Sequence, residues 1–166
     1  MDDLVIGHSV TGNGFSLSGL ISAFRKFFTF NKAVMENTNP IQEAGRYIEN
    51  ARQLLSEKAG KDGAYYKDRK YIRMAGHTAW CGVLIALDAA FNVRKGMKKG
   101  QRPDIKDYQE AASKVDKKLP RILMNSYETL HKVLGYDGNL SYKIVQEGLN
   151  EAQDIIDWVG TYYIEA

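Results

Sequence analysis

Thr78–Phe91, TAWCGVLIALDAAF, carries a single charge, Asp88, in fourteen residues. It contains no proline and is flanked by charged, helix-favouring sequence. The run is too short to cross a bilayer and too long for an ordinary strand. It reads as a helix that is apolar almost all the way round, and such a helix belongs in the middle of a bundle. Working outward, the helix extends over about residues 69–94. Ala75, Gly76, Ala79, Gly82, Ala86 and Ala89 recur along it, and small residues let neighbouring helices approach closely. Trp80, Leu84, Leu87 and Phe91 fill between them. The expectation is a helix with neighbours on several sides, or with a second subunit on one.

The flanking sequence supplies those neighbours. Asn39-Pro40 combines an N-cap side chain with proline at the first helical position. Ile41, Ala44, Ile48, Ala51 and Leu55 then mark one face, and Gly60 and Gly63 end the helix near Ala59. A charged, Tyr-rich linker leads into the central helix, and Lys95–Arg102 forms a loop after it. Pro103 and Asp104 open a helix along Ile105, Tyr108, Ala112 and Val115. Pro120 kinks or briefly breaks the chain before a further helix through Leu123, Tyr127, Leu130 and Leu134. Gly135–Asn139 is a turn, and a last helix follows Ser141. No segment alternates like a strand. The fold expected is an all-α, four-to-five-helix up-and-down bundle, a single domain over residues 39–163, with the apolar helix at its centre.

Residues 1–38 do not share this pattern and read as an N-terminal extension. Leu17, Leu20, Ile21, Phe24, Phe27 and Phe28 fall on one face of a short helix over about residues 16–31, with Arg25 and Lys26 opposite. Three readings stay open. The helix lies on a membrane or partner; the segment is a tail docked loosely on the domain or disordered; or the chain naturally starts at Met35, just ahead of the first well-formed helix.

Composition narrows the function classes. The net charge of +3 permits a nucleic-acid partner without arguing for one. The single cysteine, Cys81, sits inside the apolar run and reads as a small buried hydrophobe, so a reducing cytoplasm is the expected home. One cysteine and three scattered histidines have no zinc-site spacing. No metal and no cofactor is expected. No phosphate-binding glycine loop and no dinucleotide-binding fingerprint is present.

Four constellations could carry chemistry. Arg73 and His77 share a helix face, so they read either as a phosphate-holding or acid–base patch or as a structural pair. Asp88, inside an apolar helix, needs a Tyr hydroxyl, Lys or Arg as partner. Asp88, His77 and His131 are therefore expected as buried, structurally satisfied polar groups. Glu128 and His131 form a lone Glu-x-x-His, where di-iron bundles use two, and His131 reads as packed near a helix end where positive charge suits the dipole. Arg94, Lys95, Lys98, Lys99 and Arg102 make a basic loop able to meet phosphates, with no aromatic to stack bases. The Tyr-rich stretches Ala64–Asp68 and Gly135–Asn139 read as plugs for one end of the bundle or as a ligand rim.

Three segments carry a resemblance: NPIQEAGRYIENARQLL, YYKDRKYIRMAGHTAWCGVLIALDAAF and LHKVLGYDGNLSYKIVQEGLNEAQDIIDW. Together they resemble a small bacterial family of uncharacterised helical proteins. More distantly the layout looks like HEPN-type bundles and the substrate-binding partners of nucleotidyltransferases. That resemblance implies a helical, dimeric protein of the kind found in toxin–antitoxin or defence systems. Some such proteins are ribonucleases using Arg-x(4–6)-His; Arg73 and His77 have three residues between them. The function expected is a non-enzymatic protein–protein interaction module acting as a homodimer. The rival is an RNA-binding or RNA-cleaving component using Arg73 and His77.

Overall fold

The computed structural model describes residues 39–95 and 97–165, so the expected N-terminal helix lies outside the described residues. Helix α1 spans Pro40–Leu54 and continues as a wider π-helical turn, Leu55–Ala59. A two-stranded hairpin follows, β1 (Lys61–Asp62) against β2 (Tyr65–Tyr66). The central helix α2 is Arg69–Phe91 and α3 is Ile105–Ser113. Helix α4 spans Leu119–Ser126 and runs on as a π-helical segment, Tyr127–Tyr136. Helix α5 is Tyr142–Glu165. The protein is an all-α bundle.

Local chemistry explains most boundaries. The Asn39 side chain accepts the Ile41 N–H at 2.9 Å, with Pro40 beginning the first turn. Asp104 accepts the N–H groups of Lys106 and Asp107, while Asp107 accepts the N–H of Asp104, a reciprocal capping box. Pro120 falls in the first turn of α4, where its missing N–H costs nothing, so the chain breaks between Ser113 and Leu119 rather than kinking a single helix. Helix α2 ends earlier than expected, because Asn92 takes a left-handed conformation at φ 48°. In the π-helical segment the bonds reach five residues back: the Asp137 N–H donates to the Lys132 carbonyl at 3.0 Å.

Small residues set the approach of α2 to its neighbours. A Cβ added at Gly82 would lie 2.9 Å from the Ala44 carbonyl oxygen on α1. One added at Gly76 would lie 2.7 Å from the Leu130 carbonyl oxygen. Helix α5 packs along a third side. Ile48, Ile72, Val83, Leu87, Leu130, Leu149 and Ile155 are buried in the resulting core. Each such side chain contributes about 1.5–3 kcal/mol of transfer free energy.

Three expectations need correction. Helix α2 is not enclosed all round: Met74, His77 and Cys81 are exposed, and Thr78, Ile85 and Asp88 only half-buried. These positions fall close to one strip of the helix, which the described elements cover only in part. The run alone is too short to cross a bilayer, but the whole helix, Arg69–Phe91, is long and apolar enough to do so by length and composition; here α1, the π-helical segment and α5 pack against three of its sides. Finally, a short hairpin does form. Gly63-Ala64 is its two-residue turn, with Gly63 at φ 57° in the first loop position, where hairpin turns favour glycine; strands of two residues are too short to show alternation.

Candidate functional site

The open strip of α2 runs beside a cluster of rings. On the flank of the strip His77 points toward the π-helical segment, where its ring meets His131 at 5.7 Å and Tyr136 at 5.6 Å between centroids. His131 stacks on Tyr127 at 5.1 Å and meets the edge of Tyr136 at 5.0 Å. Trp80, one turn along α2, packs on Tyr127 and His131. Gly135 makes room for this arrangement, since a Cβ there would lie 2.8 Å from the His77 ring. Met74, 45% exposed, and Tyr136, 62% exposed, border the cluster and give this side of the molecule an apolar rim.

The histidines differ from what was expected of them. His77 is exposed and His131 half-buried, so neither is a buried polar group. His131 Nδ1 is nonetheless hidden from solvent and has no hydrogen-bond partner among the described residues. Burial, reinforced by His77 and Lys132, lowers the pKa of His131 below its ordinary 6.5. It therefore favours the neutral ring and does not serve as a positive charge for a helix dipole. Glu128 does not join it, because its carboxylate accepts from Lys132 Nζ at 2.7 Å. Among the described residues no group of three or more metal-ligating side chains converges.

Asp88 closes the other end of the strip. It is half-buried rather than buried, and the Tyr108 hydroxyl of α3 donates to its Oδ1 at 2.7 Å. Arg94 Nε donates to Oδ2 at 2.9 Å. The partners are of the kinds the buried charge called for, and they tie the end of α2 to α3. Burial and the adjacent Asp88 carboxylate push the Tyr108 phenol well above its usual range, so it remains a donor. Arg94 is thereby withdrawn from the basic loop. Lys95, Lys98, Lys99 and Arg102 stay exposed. A cavity of about 280 Å³ lies between the two groups, lined by Trp80, Leu84, Ile105, Tyr108, Tyr127 and His131.

Arg73 and His77 are both exposed on α2, with the Arg73 stem lying against the Gly138 turn. Sequence reasoning missed the convergence of His131 and Tyr136 on His77, with Tyr127 stacked on His131. Their spacing matches no α-helical face and becomes one surface only through the π-helical winding.

The fold and this surface define a small helical-bundle domain with one apolar, ring-lined face. The chain belongs to the family described as domain of unknown function (DUF5618), which matches residues 39–161. It is similar to a solved protein of unknown function from Dyadobacter fermentans, at 38% identity and a TM-score of 0.66. That similarity covers 76% of this chain and 96% of the other. No curated protein matches the chain.

Proposed function

We propose that the protein is a non-enzymatic association module that acts as a homodimer, joined through the open strip of α2. The observation that carries this is the exposure of Met74 and Cys81, with Ile85 half-buried, on the helix that otherwise forms the core. An apolar lane of this kind is stabilised when a second surface removes it from water. A two-fold interface presents the same lane from both copies. With the axis near Cys81 the two thiols come close together, and they remain thiols in a reducing cytoplasm.

Sedimentation velocity tests the reading, and a dimer is expected at concentrations of about 100 μM. Mild oxidation then links the copies through Cys81, the only cysteine in the chain. Met74→Asp is expected to give a folded monomer, with unchanged circular dichroism. A wild-type protein that sediments as a monomer at that concentration overturns the proposal.

A second reading draws on Arg73 and His77, which are both exposed four residues apart on one helix. Here the HEPN-like resemblance implies RNA binding or cleavage, aided by Lys95, Lys98, Lys99 and Arg102. Incubation with bulk RNA beside His77→Ala decides it; absence of both cleavage and salt-dependent binding removes this reading.

A further inference from the structure

On the side of α1 that meets the hairpin lies a second cavity, of about 370 Å³. Two cations line it, Arg52 from α1 and Lys61 from β1, together with Ser56, Tyr66, Tyr142 and Gln146. No carboxylate is on the lining. Neither cation has a carboxylate within ion-pair distance among the described residues. Arg52 Nη2 instead donates to the Asn150 side chain at 3.1 Å, and Lys61 Nζ sits 3.3 Å from the centroid of the Tyr142 ring. These contacts fix the direction of both positive groups without neutralising them.

The rest of the wall is neutral and donor-rich. The Gln146 amide donates to the Tyr66 hydroxyl at 3.2 Å, leaving the phenol's own proton free to be given. Burial raises the Tyr66 pKa, so that proton is retained. The tilted pair of Tyr66 and Tyr142 rings, 5.7 Å apart, and Leu55 give the cavity an apolar side. The wall is held as part of the fold. The Tyr66 N–H donates to the Leu140 carbonyl, the Tyr142 N–H donates to the Ala64 carbonyl, and Lys67 and Asp68 donate back to Ala59.

We propose that this cavity binds a small organic phosphate monoester. The phosphate would sit between Arg52 and Lys61, where two positive charges meet a dianion, and the organic body would lie against the tyrosine and leucine wall. The volume is in the range of small-ligand pockets and exceeds what a bare phosphate fills. Of the two Tyr-rich stretches, Ala64–Asp68 then supplies a ligand rim through Tyr66, while Gly135–Asn139 is not on the lining.

Phenyl phosphate is the probe, titrated into the full chain and followed by calorimetry and by amide shifts in nitrogen–proton NMR spectra. Saturable binding with shifts at Lys61 and Gln146 is expected, weaker for inorganic phosphate and weaker still for benzoate. Arg52→Gln and Lys61→Ala are each expected to weaken phenyl phosphate by about ten-fold or more, with circular dichroism unchanged. Lys61 is exposed, so its replacement tests the charge without disturbing the core. Absence of binding up to about 10 mM overturns the proposal. So does binding indifferent to both substitutions, or benzoate binding as tightly as phenyl phosphate.

Discussion

Two half-buried titratable residues give the molecule opposite responses to pH. His131 has a folded-state pKa below 6.5, so the unfolded chain takes up its proton first as pH falls. Stability contributed by the neutral ring is fully present above about pH 6.5 and declines below it, until the folded-state pKa is reached. Glu151 behaves in reverse. Burial, with Glu147 and Asp154 adding to it and Thr129 opposing, raises its pKa above 4.5. Its contribution is present below that value and is lost as pH rises toward the raised pKa. Urea unfolding followed from pH 4 to 8 checks both. His131→Asn is expected to flatten the loss of stability below about pH 6.5, and Glu151→Gln to remove the loss at the acid end. A pH profile identical in wild type and both variants contradicts these assignments.

At the scale of elements, glycines on two helices separate close packing from open space. Gly76→Ala forces a methyl group onto the backbone of the π-helical segment, which has no flexible atom to yield. The expected cost is about 1–3 kcal/mol, the usual range for overpacking. Gly45→Ala on α1 meets nothing within 4 Å and is expected to stabilise by about 0.5–1 kcal/mol through helix propensity alone. Chemical denaturation of the two variants checks the contrast; equal effects would contradict the packing of α2. The small residues of α2 made its close neighbours legible in the sequence, and Asn39-Pro40 and Pro103-Asp104 marked helix starts that the structure contains. What could not be read was the winding of Tyr127–Tyr136. Periodicity assumes a constant turn angle, and the i→i+5 bonding changes that angle without a proline to announce it; Gly135, the one glycine of the segment, stands only at its far end.

At the scale of the molecule, the apolar run was legible as the centre of a bundle, while its open strip was not. Composition alone gives Met74, Cys81 and Ile85 the same standing as Ile72, Ala79 and Val83. The difference arises from which neighbours the fold supplies, and α1, the π-helical segment and α5 cover three sides. The candidate site was legible only in pieces: Asp88's need for a phenol or guanidinium followed from its charge, but Tyr108 and Arg94 had to be found in space. If a second copy covers the strip, the thermal midpoint rises with protein concentration, because association is coupled to folding. Scanning calorimetry over a hundred-fold dilution is expected to show that rise in wild type and to show none in Met74→Asp. A midpoint independent of concentration in wild type counts against the dimer.

The π-helical segment also bears on how this domain can change by heredity. A wide coil holds a residue that an α-helix of the same reach does without. Excision of one codon within Tyr127–Tyr136 could therefore leave an unbroken rod while re-dealing which side chains face His77. The aromatic face could be rewritten in a single genetic step, with no loop lengthened and the helix order untouched.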